Sequence, residues 1–108
     1  MAKWILIESR DPLQTRDVER QFELAAGLAR EGHQVTVFLI QNGVFPARRS
    51  ATSALLEILS KSGVQVLADD FSLRERGIDG DHLAPGVQPA GVDVVIDRMA
   101  DGAKALWH

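Results

Sequence analysis

The chain has no cysteine, and that one absence removes a set of chemistries. Disulfides, thiolate metal sites, iron–sulfur clusters and cysteine nucleophiles are excluded. Long apolar runs are missing too, since none approaches the ~20 residues that span a bilayer. The opening MAKWILIESR offers one Lys and a short apolar stretch, too little for a signal-peptide core and with no small-residue cleavage site after it. The chain reads as cytoplasmic, with no membrane role. Excess positive charge is also absent: twelve basic and fifteen acidic residues give −3, so no nucleic-acid footprint is expected. No G-x-G-x-x-G, G-x-x-x-x-G-K-[ST] or G-x-S-x-G occurs. His33, His82 and His108 are far apart, none at metal-ligand spacing from another. Neither a cofactor nor a metal is expected.

What remains is an ordinary globular composition, 45% apolar and 25% charged, over 108 residues, enough for one domain spanning 1–108. Charge is uneven along it. Residues 69–101 hold eight of the acidic groups and three of the basic ones, a solvated face or one wall of a site, with the solvated face the simpler reading.

Lys3–Glu8 (KWILIE) is a nearly continuous apolar run, as in a strand covered on both faces. Asp11-Pro12 breaks it. Thr15 or Asp17 is a candidate cap for a helix running to about Glu31, with Gly32 as its left-handed stop. Val18, Phe22, Ala25, Ala26 and Ala29 line its inner face, and Leu24 and Leu28 widen the apolar arc enough to hint at a subunit interface. Gln34–Ile40 is a second strand, followed by a turn at Gln41-Asn42-Gly43. Ser50 or Thr52 opens a second helix ending at Ser62-Gly63, with Ala51, Leu55, Ile58 and Leu59 facing inward. Val64–Ala68 is a third strand, Ser72–Arg76 one helical turn, and Asp79–Gly91 mostly loop. Val92–Ala100 fits a helical stripe through Val92, Val95, Ile96, Met99 and Ala100. VDVVI alone also suits a strand, but a helix stopped by Gly102 leaves Ala103–Trp107 as the last strand. Trp4 and Trp107 then fall in the first and last strands. Both suit packing, each indole N–H needing a partner, and Trp107 suits a subunit contact equally.

Alternating strands and helices with short turns imply an α/β sandwich of three layers, a mostly parallel sheet with helices on both faces. Ligands in such folds sit beyond the carboxyl ends of the strands. That rule selects Ser9, Arg10 and Asp11, then Gln41 and Asn42, then Asp69 and Asp70, with Ser72 and Arg76 beside them. Asp69 or Asp70 could act as a base or bind a cation, although capping the Ser72 turn is the simpler job. Arg74 and Arg76 are in reach of the same turn and would favour the ionised carboxylates. Arg48-Arg49 could meet an anion or simply be solvated.

The opening strand with S-R-D-P, the helix ending A-R-E-G-H, then Q-V-T-V-F-L-I-Q-N-G-V, S-G-V-Q-V-L-A and L-R-E-R-G-I together resemble the DsrE/DsrF/TusD-like family over residues 3–107. The resemblance implies a flavodoxin- or Rossmann-like sandwich of about five strands that assembles as a trimer or hexamer. It also implies kinship with sulfur-relay proteins, whose carrier cysteine follows the third strand eight residues before the Gly of R-G. Here that position is Asp69, and the second cysteine of some members, three residues on, is Ser72. A carboxylate forms no persulfide, so the sulfur chemistry does not carry over.

Three functions follow, in order of preference. The first is a non-catalytic homo-oligomer, structural, regulatory or bound to a sulfur-relay protein partner. The second is a small-ligand binder using Ser9, Arg10, Asn42, Asp69, Asp70, Ser72 and Arg76. The third is an enzyme with Asp69 or Asp70 as general base, ranked last because no nucleophile or cofactor motif accompanies them.

Overall fold

The apolar runs become strands of one sheet, as burial on both faces requires. The computed structural model describes residues 1–48 and 54–108. The elements are β1 (Lys3–Glu8), α1 (Asp17–Arg30), β2 (Gln34–Leu39), a 3-10 helix (Gln41–Ala47), α2 (Ala54–Lys61), β3 (Gln65–Asp69), α3 (Asp70–Glu75), β4 (Val87–Ala90), α4 (Asp93–Ala100) and β5 (Lys104–Trp107). All strand pairings within the sheet are parallel, in the order β4-β3-β2-β1-β5. Helices cover both faces, so the expected α/β sandwich is the architecture observed.

Side-chain alternation divides the core. Leu6, Val35, Val37, Leu39, Val66 and Ala68 meet Val18, Phe22, Ala25 and Ala26 of α1 and Leu56 and Leu59 of α2. Ile5, Ile7, Phe38 and Leu67 point the other way, toward Val94 and Val95 of α4. Burying each of the larger side chains contributes ~1.5–3 kcal/mol. Gly32 stops α1 in the left-handed region at φ 93°, as its position after the helix implied.

Several local expectations are corrected. Neither Thr15 nor Asp17 caps α1: the cap residue is Arg16, in helical conformation, and Thr15 Oγ accepts instead from the Asp17 N–H at 3.2 Å. The turn expected at Gln41–Gly43 is seven residues of 3-10 helix that accommodate Pro46. In α2 the sheet takes Leu56 and Leu59, while Ile58, expected inside, is exposed. Ser50, Ala51, Thr52 and Arg49 lie outside the described residues. The expected loop Asp79–Gly91 contains β4, whose Pro89 disguises it; Pro is tolerated there because β4 is an edge with only β3 beside it. Of the expected helix Val92–Ala100, residues 93–100 are helical. Val94 and Val95 pack inward, whereas Val92, Ile96 and Met99 are exposed. Leu28 also packs against the core, which leaves Leu24 as the exposed leucine of α1.

Candidate functional site

The carboxyl ends of the strands carry two separate polar groupings. The first joins β2 to β3. Asp69 ends β3 in extended conformation and is 4% exposed. Its Oδ2 accepts from the Ser72 N–H at 3.0 Å and the Ser72 hydroxyl at 2.6 Å, so it caps α3. Ser72 Oγ in turn accepts from the Gln41 N–H at 2.8 Å. Gln41 has φ 54°, the only positive value at a non-glycine among the described residues, which swings the chain from β2 over the end of β3. Asn42 Oδ1 then accepts from Arg76 Nε at 3.2 Å and Nη2 at 3.0 Å, and Arg76 Nη1 donates to the Ser72 carbonyl at 3.3 Å. Of the candidates read from sequence, Asn42, Asp69, Ser72 and Arg76 are thus one network.

Asp70 is not part of it. Its carboxylate faces Arg74 Nη1 at 3.9 Å on the surface, a pair worth ~0–1 kcal/mol. The expectation that Arg74 and Arg76 both serve the two aspartates is corrected: Arg74 reaches Asp70, and Arg76 bonds the neutral Asn42 and the Ser72 carbonyl instead.

The second grouping joins β1 to β5 and takes Ser9 and Arg10 away from the first. Glu8 is 2% exposed. His108 Nδ1 lies 2.8 and 2.9 Å from its two carboxylate oxygens, and the Arg10 N–H donates to Oε2 at 3.0 Å. The Ser9 N–H and hydroxyl both donate to the His108 carbonyl, at 3.0 and 2.9 Å. The Arg10 side chain is exposed. Glu8 and His108 were not candidates from sequence. A glutamate closing an apolar strand was the one visible signal, and its partner is 100 residues away.

Among the described residues, only backbone links the two groupings. The Ile40 N–H donates to the Glu8 carbonyl at 2.9 Å, and a Cβ on Gly43 would fall on that same carbonyl. Gly43 is therefore required by close approach rather than by its φ.

No group of three or more His, Asp or Glu able to hold a metal ion occurs among the described residues. No described helix is long and apolar enough to cross a membrane. Asp79, on the exposed loop after α3, is held below the ordinary carboxyl range by the Asp81 N–H and, secondarily, by His82. The tryptophans differ. Trp4 is half-buried with its indole N–H unpartnered, against the expectation that each would find an acceptor, while Trp107 is 64% exposed.

Comparison with known proteins agrees with this architecture. A solved structure of MTH1491 from Methanobacterium thermoautotrophicum, described as a protein of unknown function, shares 26% identity over the whole of both chains with a TM-score of 0.81. The ychN protein of E. coli superposes over both full chains with a TM-score of 0.85 at 22% identity. BT1422 of Bacteroides thetaiotaomicron, also of unknown function, gives 0.73 at 13% identity over 98% of this chain and 94% of its own. At 22% and 13% identity these likenesses speak to the fold alone. No curated protein matches the chain. The family model of the DsrE/DsrF-like proteins, however, matches residues 2–107, and on that extent the chain belongs to the DsrE/DsrF-like family.

Proposed function

We propose that this protein is a non-catalytic, self-associating DsrE-like component of the cytoplasm, structural or partner-binding, linked to sulfur metabolism through a sulfur-relay protein partner. The observation that carries the reading is the state of Asp69. The position that the resemblance assigns to a sulfur carrier holds a buried carboxylate bonded twice to Ser72, in a chain without cysteine. Persulfide transfer needs a thiolate to attack and release sulfur, and Met1 and Met99 have no ionisable S–H to replace it. Self-association is supported by Val92, Ile96 and Met99 exposed on α4 and by Trp107, which shares their face of the sheet because it pairs with Ile7. Isolated exposed apolar residues are common; several on one face favour a protein contact.

The test has two arms. Incubation with a persulfide-loaded donor protein should leave the intact mass unchanged, and a stable adduct one sulfur atom heavier overturns the non-catalytic reading. Light scattering at micromolar concentration should give an oligomer, and a monomer at every concentration overturns self-association.

The Asn42–Ser72–Arg76 network favours a second reading, a small-molecule site at the ends of β2 and β3. Native mass spectrometry of protein as purified would then show a retained ligand.

A further inference from the structure

Arg76 is fixed in place without a counter-ion. Three of its five N–H bonds go to neutral acceptors, Asn42 Oδ1 and the Ser72 carbonyl, and two have no partner among the described residues. Its guanidinium carbon stands 5.8 Å from the centroid of the Phe45 ring. Arg48 approaches that ring at 5.1 Å, anchored by a single bond from Nε to the Phe45 carbonyl at 3.1 Å. Two guanidiniums are therefore held near one aromatic ring, each with N–H groups to offer, and no described carboxylate lies within ion-pair distance of either.

These two arginines, with Gly77, Ile78, Asp79 and His82, line an open cleft of about 420 Å³. Asp79 is the one acid in it, and its oxygens are engaged, Oδ1 by the Asp81 N–H at 2.9 Å and Oδ2 by His82 Nδ1 at 2.8 Å. The cleft is positive in a chain whose net charge is −3 and whose acidic third runs through the same region. It also lies where an α/β sheet presents ligands, beyond the carboxyl ends of β2 and β3.

We propose that this cleft binds a tetrahedral dianion, the phosphate of a phosphomonoester or free inorganic phosphate, between the guanidiniums of Arg48 and Arg76, with the His82 ring as a further wall. Planar guanidinium forks match phosphate oxygens in pairs, and a dianion neutralises two arginines at once where a monocarboxylate would leave one charge over. The Asp69–Ser72–Gln41–Asn42 bonds supply the rigidity, since they set the position of Arg76 before any ligand arrives. The proposal is independent of self-association and of the fate of sulfur.

The test is titration of the isotope-labelled protein with inorganic phosphate and with phenyl phosphate at constant ionic strength, reading the arginine Nε–H and backbone resonances. Saturable shifts at Arg48, Arg76 and Gly77 are expected, and sodium acetate should not reproduce them. Arg48→Ala, which removes the bond to the Phe45 carbonyl and the contact with its ring, should weaken binding about tenfold. Arg76→Lys, which keeps the charge and loses the fork, should weaken it similarly while leaving the fold intact by its backbone spectrum. Equal affinity for the two probes marks a site for free phosphate. Markedly tighter phenyl phosphate marks a site for phosphorylated organic compounds. Shifts that never saturate, that acetate reproduces, or that persist unchanged in Arg48→Ala overturn the proposal.

Discussion

Two buried carboxylates stand at the same edge of one sheet, and they are held in opposite ways. Asp69 is secured locally, by the backbone and hydroxyl of a residue three positions on. Glu8 is secured by an imidazole 100 residues away, on the residue that follows the neighbouring strand β5. The local arrangement finishes a single helix turn and stiffens the cleft next to it. The remote one ties the end of the edge strand β5 to β1. Burial at the mouth of an α/β fold thus marks two different tasks, a helix cap at Asp69 and a tie between strands at Glu8.

The comparison can be broken by substitution. Glu8→Ala should have the largest effect, because it removes a buried carboxylate and leaves the Arg10 N–H and the partly buried His108 ring without their acceptor. The expected loss is about 1.5–3 kcal/mol by chemical denaturation. Glu8→Gln should recover part of it by keeping one acceptor. Gly43→Ala tests the seam between the two groupings. The added methyl would meet the Glu8 carbonyl, and forcing the 3-10 helix outward should cost about 1–3 kcal/mol. Asp69→Ala should cost less than Glu8→Ala, about 0.5–2 kcal/mol, and Asp69→Asn under about 1 kcal/mol because Asn also caps. Equal losses for Asp69→Ala and Asp69→Asn would mean that the charge, not the cap, matters there.

The smallest effect sharpens the contrast with an exposed carboxylate. Asp79 should titrate below its ordinary value of 3.8 when followed by NMR. Its folded value is depressed, so its contribution is present above pH 3.8 and disappears as the pH falls through the lower folded value. His82→Ala should return only part of the shift, since the Asp81 N–H is the larger cause.

The same contrast explains what could be read in advance. Asp69 as a cap was legible, because capping depends on spacing of a few residues and Ser72 stands at the right one. The three central strands were legible from apolar runs, and Gly32 from its place after a helix. Glu8–His108 was not legible, since no local pattern links strands that the topology alone makes neighbours. β4 was hidden because Pro89 reads against a strand unless the strand is known to lie at an edge. The outward turn of Ile96 and Met99 was hidden for another reason. Periodicity reports that a helix has an apolar stripe and does not say whether the sheet or a partner receives it.

β5 has a consequence for the order in which the sheet can close and open. β1 meets β2 across a span of about thirty residues, Lys3 opposite Gln34, but meets β5 across a hundred, Trp4 opposite Lys104. Loop entropy grows only slowly with length, ~0.6 kcal/mol per doubling, so the longer closure costs little more than ~1 kcal/mol extra. The return is also small: four paired residues, all exposed, against the six of the fully paired β1–β2 ladder. β5 should therefore be among the first segments to exchange its amide hydrogens, through local opening that leaves β1, β2 and β3 protected. Each opening would uncover the flank of β1, and with it a row of unpaired backbone groups that the bonds of Glu8 and Ser9 to His108 help to hold shut.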